Sequence, residues 1–203
     1  MTTHQAPPLL AGHSHLAALR APLAQLEREV ERIDAWGYRL ARVLAGGGRL
    51  LAVGNGGSAA QAQHLTSELV GRYRDDRPPL SALALHAESS TYTAICNDYG
   101  DEHAFARQVR AHGRPGDILL AFSTSGRSPN VVAAVEAALE GGLEAWALTG
   151  SAPNPVCERA GEALSVEAGA TATVQEIHQI ALHLLCAAVD LALGIAPART
   201  APS

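Results

Sequence analysis

The sequence predicts an α/β fold in which a parallel sheet is covered by helices on both faces. Three observations predict it. Short apolar runs recur along the chain, each too short for a helix and suited to a buried strand. Longer segments with apolar residues every three or four positions separate them, so strand and helix alternate. Glycine-rich and hydroxyl-rich loops follow the first and third runs, and ligands of such sheets sit beyond the carboxyl ends of the strands.

In chain order, Met1 to about His13 contains Pro7 and Pro8 and reads as a loose arm. From about Ser14 to Ala45 the pattern is helical. Leu16, Leu19, Leu23, Leu26, Val30 and Ile33 recur at helical spacing, and Trp36, Leu40 and Val43 continue it after an expected break near Arg32. Gly46-Gly47-Gly48 ends it. The spare face of this segment either packs against another subunit or covers the sheet. Leu50–Val53 is the first strand, and Ala59 to Gly71 is a helix for which Ser58 is the expected N-cap. Arg72 to Pro79 is a polar turn, and Ser81–Leu85 the second strand. His86 to Ile95 is mixed and suits a short helix ending at Cys96–Gly100, and Asp101 is placed to cap a helix running to about Ala111. Asp117–Phe122 is the third strand, and Pro129 opens a helix to about Leu139, a favoured place for proline. Leu143–Leu148 is the fourth strand, Asn154–Ala160 a short helix and Ala163–Val166 a weak fifth strand. Thr171 to about Leu193 is a long last helix, followed by a frayed tail from Ala196 to Ser203. One domain is expected over residues 1–203, with a helical segment at about 14–45 and an α/β core at about 49–194.

Composition narrows the function classes. The chain has 203 residues, 47% of them hydrophobic and only 4% aromatic, so its core is aliphatic. A formal net charge of -5 without a basic run argues against nucleic acid as a partner. It leaves room for an anionic small substrate held by a local cradle. The scattered Cys96, Cys157 and Cys186 form no close-spaced pair, and with no basic-then-apolar leader the expected location is the cytoplasm. No apolar stretch is long enough for a membrane helix.

Gly54-Asn55-Gly56-Gly57-Ser58 lets the backbone turn sharply before a helix, and free amides there make an anion site; a tight turn without a ligand is the other reading. No Lys follows the glycines, which excludes the usual triphosphate loop. Gly54, Gly56 and Ala59 match the loose dinucleotide fingerprint weakly. Ser123, Thr124, Ser125 and Ser128 offer four hydroxyls on a second loop, and one anion shared by the two loops is the economical reading. His64 and Glu68, four apart, share a helix face as a metal pair, an acid/base pair or a solvated face. Gln175 and His183 lie eight apart, about 12 Å along a helix, so they converge on a target between them or serve different sites.

Taken together and in order, these motifs resemble the sugar isomerase (SIS) domain family and, within it, the phosphoheptose isomerases. The anchors are Gly54–Ser58, His64 with Glu68, Gly71-Arg72-Tyr73-Arg74, Asn97-Asp98, Ser123–Gly126 with Ser128, and Gln175–His178 with His183. The resemblance implies a flavodoxin-like three-layer α/β/α sandwich with five parallel strands. It also implies a homotetramer built through the N-terminal helices, with active sites at subunit boundaries. Ser58, Ser123, Ser125 and Ser128 would hold the phosphate. Asn55, Gly56, Gly57, Asn97, Asp98, Thr124 and Gln175 would line the sugar, with Glu68 and Arg72 also at the substrate. His64, Glu68, Gln175 and His183 would bind one zinc ion, and Glu68 and His183 would be the catalytic acid/base pair. The implied reaction converts D-sedoheptulose 7-phosphate to D-glycero-D-manno-heptose 7-phosphate through an enediol(ate), with no nucleic-acid or membrane partner. Thr173 stands where relatives often carry Arg, Ala172 where some carry Asp and Arg127 where many carry Asn, which bears on substrate tolerance. Two rival classes are a non-catalytic SIS protein that binds the replication initiator or senses a sugar phosphate, and a dinucleotide-dependent enzyme.

Overall fold

Strand residues alternate between two aliphatic cores, and this alternation sets the layers. The structure, a computed structural model, describes residues 11–195. Its strands are β1 (Leu50–Val53), β2 (Ala82–Ala84), β3 (Ile118–Ser123), β4 (Glu144–Thr149) and β5 (Glu162–Ser165). All pair in parallel, in the order β2-β1-β3-β4-β5. That is the flavodoxin-like order, with its topological switch point between β1 and β3. Every residue of β1 and β3 is buried, as strands covered on both faces require.

The helices are α1 (Ala11–Ala18), α2 (Arg20–Glu27), α3 (Val30–Ala45), α4 (Gly57–Val70), α5 (Ser89–Tyr99), α6 (Ala104–His112), α7 (Pro129–Glu140), α8 (Pro155–Arg159) and α9 (Thr171–Ala192). Leu50, Ala52, Leu120, Phe122 and Trp146 face a core shared with α2, α3, α4 and α9. Leu51, Val53, Leu119, Ala121 and Ala147 face the other, shared with α6, α7 and α8. The sandwich is therefore three-layered.

Several boundaries differ from expectation, each for a local reason. The N-terminal pattern divides into three helices rather than two, with breaks at Leu19 and at Arg28-Glu29 instead of near Arg32. Pro22 explains the first break, because it has no N–H for the carbonyl of Ala18 and its ring would crowd that carbonyl. Helix α1 already includes Gly12 and His13, which were expected in the arm; the remainder of the arm and the tail from Ala196 lie outside the described residues. Ser58 is not the N-cap of α4: Gly56, at φ 53°, takes that position. Asp101 opens a short 3₁₀ turn, Asp101–His103, and does not cap α6.

Helix α3 covers the sheet. Trp36 stacks on Trp146 of β4 with centroids 5.0 Å apart, and its indole N–H donates to Glu162 at 2.8 Å. Gly37 lets α3 approach α9 closely, since a Cβ there would lie 2.3 Å from the Cβ of Ala188. Among the described residues, no helix is long and apolar enough to cross a membrane.

Replacing Gly37 by Ala tests the α3–α9 approach. In a free helix Ala is better by about 1 kcal/mol. Overpacking against Ala188 opposes that with about 1–3 kcal/mol. The expected outcome is a net loss of stability and a lower urea midpoint; a higher midpoint would show that the helices separate freely.

Candidate active site

The site lies at the switch point, where the loops after β1 and β3 face each other. The first loop turns at Gly56 into α4, and Ser58 is buried in the first turn of that helix. The second loop, Ser123–Ser128, is braced from beneath by the loop after β4. Asn154 caps α8 by accepting from the amide of Cys157 at 2.9 Å. Its carboxamide also packs against Gly126, whose φ of 61° and lack of a Cβ make that contact feasible.

The serine hydroxyls shape this loop and remain able to donate. Ser123 Oγ accepts from the amide of Gly126 at 3.1 Å, and Ser125 Oγ accepts from that of Arg127 at 3.2 Å. A hydroxyl that accepts from an amide keeps its own proton for another acceptor. Ser128 sits at the N-cap of α7, where its carbonyl accepts from the amides of Val131 and Val132 but its hydroxyl makes no cap bond, so that hydroxyl is open to an anion at the positive end of the helix. Thr124 is half-buried beside them.

The two loops are tied together by a reciprocal amide pair. Asn55 Nδ2 donates to Asn130 Oδ1 at 2.9 Å, and Asn130 Nδ2 donates back to Asn55 Oδ1 at 3.0 Å. Asn55, expected to line the sugar, thus has its carboxamide engaged by a residue of α7 that the sequence reading did not single out.

On α4, the i,i+4 spacing brings His64 Nε2 to 3.2 Å from Glu68 Oε1. From α9, His183 Nε2 comes to 3.1 Å from His64 Nε2. One ligand atom from each of the three residues falls within 4.8 Å of the others. Two ligands of a tetrahedral zinc, each about 2.0–2.1 Å from it, sit roughly 3.3 Å apart. Two imidazoles and a carboxylate at these separations are therefore a donor set and a spacing that fit zinc. Burial pushes the His183 pKa down; nearby His64 and Arg74 act in the same direction and Glu68 opposes them. Tyr73 stacks on the His183 ring at 5.7 Å, and Gln179 Nε2 donates to His183 Nε2 at 3.2 Å. Neither contact was foreseen, although Gln179 stands one helical turn before His183.

The remaining expected residues are placed differently. Gln175 lies over Gly57, where a Cβ would come within 2.3 Å of its Nε2, so Gly57 is the seat for that side chain. Gln175 and Gly57 line a cavity of about 270 Å³ with Gln61, Ala172, Glu176 and Gln179. Asn97 and Asp98 are exposed on α5 and bond each other at 2.8 Å. Exposed Arg72 donates to the carbonyl of Arg74 at 3.1 Å. Within this one chain, these last three residues do not join the His64–Glu68–His183 cluster.

A flavodoxin-like sheet with two hydroxyl-bearing loops and a histidine–carboxylate cluster at its switch point defines a sugar-phosphate site. Comparison with known proteins agrees. Residues 14–150 match the SIS domain family. The chain is 59% identical over 193 residues to a phosphoheptose isomerase of Streptomyces coelicolor, covering 95% of this chain and 81% of that protein. A solved phosphoheptose isomerase from Francisella tularensis superposes with a TM-score of 0.86 at 33% identity, over 92% of this chain and 100% of the other. One from Neisseria gonorrhoeae gives 0.81 at 38% identity, over 88% and 96%. The chain belongs to the SIS domain family and, within it, to the phosphoheptose isomerases.

Two measurements probe the site's framework. Replacing Asn130 by Ala should weaken inorganic phosphate binding about tenfold in calorimetry, about 1.4 kcal/mol, because the two loops lose their tie. His178 of α9 is fully buried, donates from Nε2 to the carbonyl of Thr149 at 3.1 Å, and has its pKa pushed down to about 4 by that burial. The unfolded chain, titrating near 6.5, takes up this proton first. Its contribution is complete above that value and declines as pH falls toward 4, by about 2–3 kcal/mol at pH 4.5. Urea midpoints at pH 7.5 and 4.5 should therefore differ less for His178→Gln than for the parent.

Proposed function

We propose that this site interconverts D-sedoheptulose 7-phosphate and D-glycero-D-manno-heptose 7-phosphate through an enediol(ate). The observation that carries the reading is the meeting of His64, Glu68 and His183 within 4.8 Å, the first two on a helix that opens from one of two hydroxyl-bearing loops. Ser58, Ser123, Ser125 and Ser128, at the positive ends of α4 and α7, would bind the phosphate and set the sugar's position from that end. Asn55, Gly56, Gly57, Thr124 and Gln175 would line the sugar, as would Asn97, Asp98 and Arg72 where a neighbouring subunit completes the site.

Glu68 takes the proton from one carbon and returns it to the adjacent one. A carboxylate has two oxygens, so it can face a ligand and a carbon-bound proton together. His183, whose pKa burial lowers, would accept a proton from one hydroxyl and deliver it to the neighbouring carbonyl oxygen through a ring nitrogen not engaged by a metal. Tyr73 and Gln179 keep the His183 ring in place. His64, Glu68 and His183 would hold a zinc ion, with Gln175 as the fourth ligand that the family pattern adds. When bound, it would supply Lewis-acid polarisation of the substrate carbonyl. The homotetramer with sites at subunit boundaries that the family pattern implies could cover exposed Leu16 on α1 and Ile180 and Leu191 on α9. The location that fits this chemistry is the cytoplasm.

The direct test incubates purified protein with the ketose phosphate, with and without added zinc, and follows the aldose. Formation of the aldose is expected; its absence under both conditions would reject the reading. Glu68→Gln should lower turnover by at least about 10²–10⁴-fold while leaving inorganic phosphate affinity within about twofold. Retained turnover would remove Glu68 from the base role.

A further inference from the structure

Arg77 lies outside every motif considered above, in the segment between α4 and β2, yet its side chain is only 1% exposed. Its guanidinium is engaged on three sides. Nη2 donates to the backbone carbonyl of Glu68 at 2.6 Å, and Nη1 donates to the carbonyls of Leu69 at 2.8 Å and Pro78 at 3.1 Å. Nε donates to Asp190 Oδ1 at 2.9 Å. The last carbonyls of a helix have no partner within it, and a cation there also meets the negative end of the helix dipole. Arg77 therefore caps the end of α4 at the residue that carries the candidate base.

Its counter-ion is equally specific in position. Asp190 lies on α9 seven residues, or about two turns, beyond His183. Cys186, between them, is buried, and that burial with the nearby carboxylates of Glu68 and Asp190 pushes its thiol pKa up. One planar, permanently charged group thus spans the helix bearing His64 and Glu68 and the helix bearing His183. A fork of this kind fixes direction as well as distance, which a lysine ammonium does not.

We propose that Arg77, paired with Asp190, is a positioning residue that sets the register of α4 against α9 and so brings Glu68 and His183 to working separation. The proposal rests on the isomerase reading. The phosphate-binding loops lie at the opposite end of α4, so the pair should govern the reacting end and leave the anion end alone.

The experiment compares the parent with Arg77→Lys and Asp190→Asn, using the intact chain. For Arg77→Lys, kcat should fall about 10- to 100-fold while KM and inorganic phosphate affinity stay within about twofold. Zinc affinity, read without turnover by competition with a chromophoric chelator, should fall about tenfold. Asp190→Asn keeps an acceptor for Nε and should show the same split at about 3- to 10-fold; it decides the matter if Arg77→Lys does not fold. Parent-like kcat or parent-like zinc affinity in the deciding variant would overturn the proposal. So would a parallel loss of kcat and phosphate affinity with a lowered melting temperature, which marks a structural role only. A parent protein inactive on the ketose phosphate rejects the isomerase reading instead; the zinc measurement still reports on the Arg77 clamp.

Discussion

Two helices far apart in sequence, α4 and α9, must deliver three polar atoms to one point, and the rest of the structure depends on that meeting. His64 and Glu68 need only the helical repeat to share a face, but His183 arrives from a helix that starts a hundred residues later. The approach is set by an aliphatic core that joins Leu65 and Leu69 of α4 to Leu182, Leu185 and Val189 of α9. Interiors are close-packed, so small shifts of one helix against the other are resisted. Apolar packing brings the helices together without fixing direction; hydrogen bonds and the Arg77–Asp190 pair add the directional restraint.

The other half of the site has a different logic. Its loops carry hydroxyls at two helix N-termini rather than a crowd of cations, which suits a chain of net charge -5. Fixed dipoles at helix N-termini stabilise an anion without the long side chains that lose entropy on binding. The strand order makes this possible. Because β1 and β3 are neighbours, the loops that follow them open on the same crevice. The Asn55–Asn130 pair then holds the two loops at one separation. In the proposed reaction, a sugar phosphate gripped at its charged end would present its carbonyl end at a constant distance, and orientation of this kind is a large part of catalysis.

The family assignment and the geometry support each other at different levels. Relatedness establishes the class of chemistry. The distances identify which side chains this single chain brings together, and which it leaves apart. His64, Glu68 and His183 form one cluster, Gln175 is seated over Gly57, and Asn97, Asp98 and Arg72 remain apart. In the proposed assembly, a subunit boundary would reunite the residues that lie apart in one chain.

The sequence alone determined the layer architecture, since apolar runs and amphipathic periods are local properties, and each of the five strands was placed to within about two residues. It determined the i,i+4 pair of His64 and Glu68, because a helix places such residues on one face whatever surrounds it. It also exposed both candidate anion loops through their glycines and hydroxyls. It misjudged the caps at Ser58 and Asp101, where the backbone's own turns took the position. Only the tertiary structure decided that His183 joins the α4 pair, that Gln175 rests on Gly57, and that Asn130, Gln179 and Arg77 brace the site. Those contacts bridge long sequence separations and follow from how helices pack on a twisted sheet, a relation that no local pattern encodes.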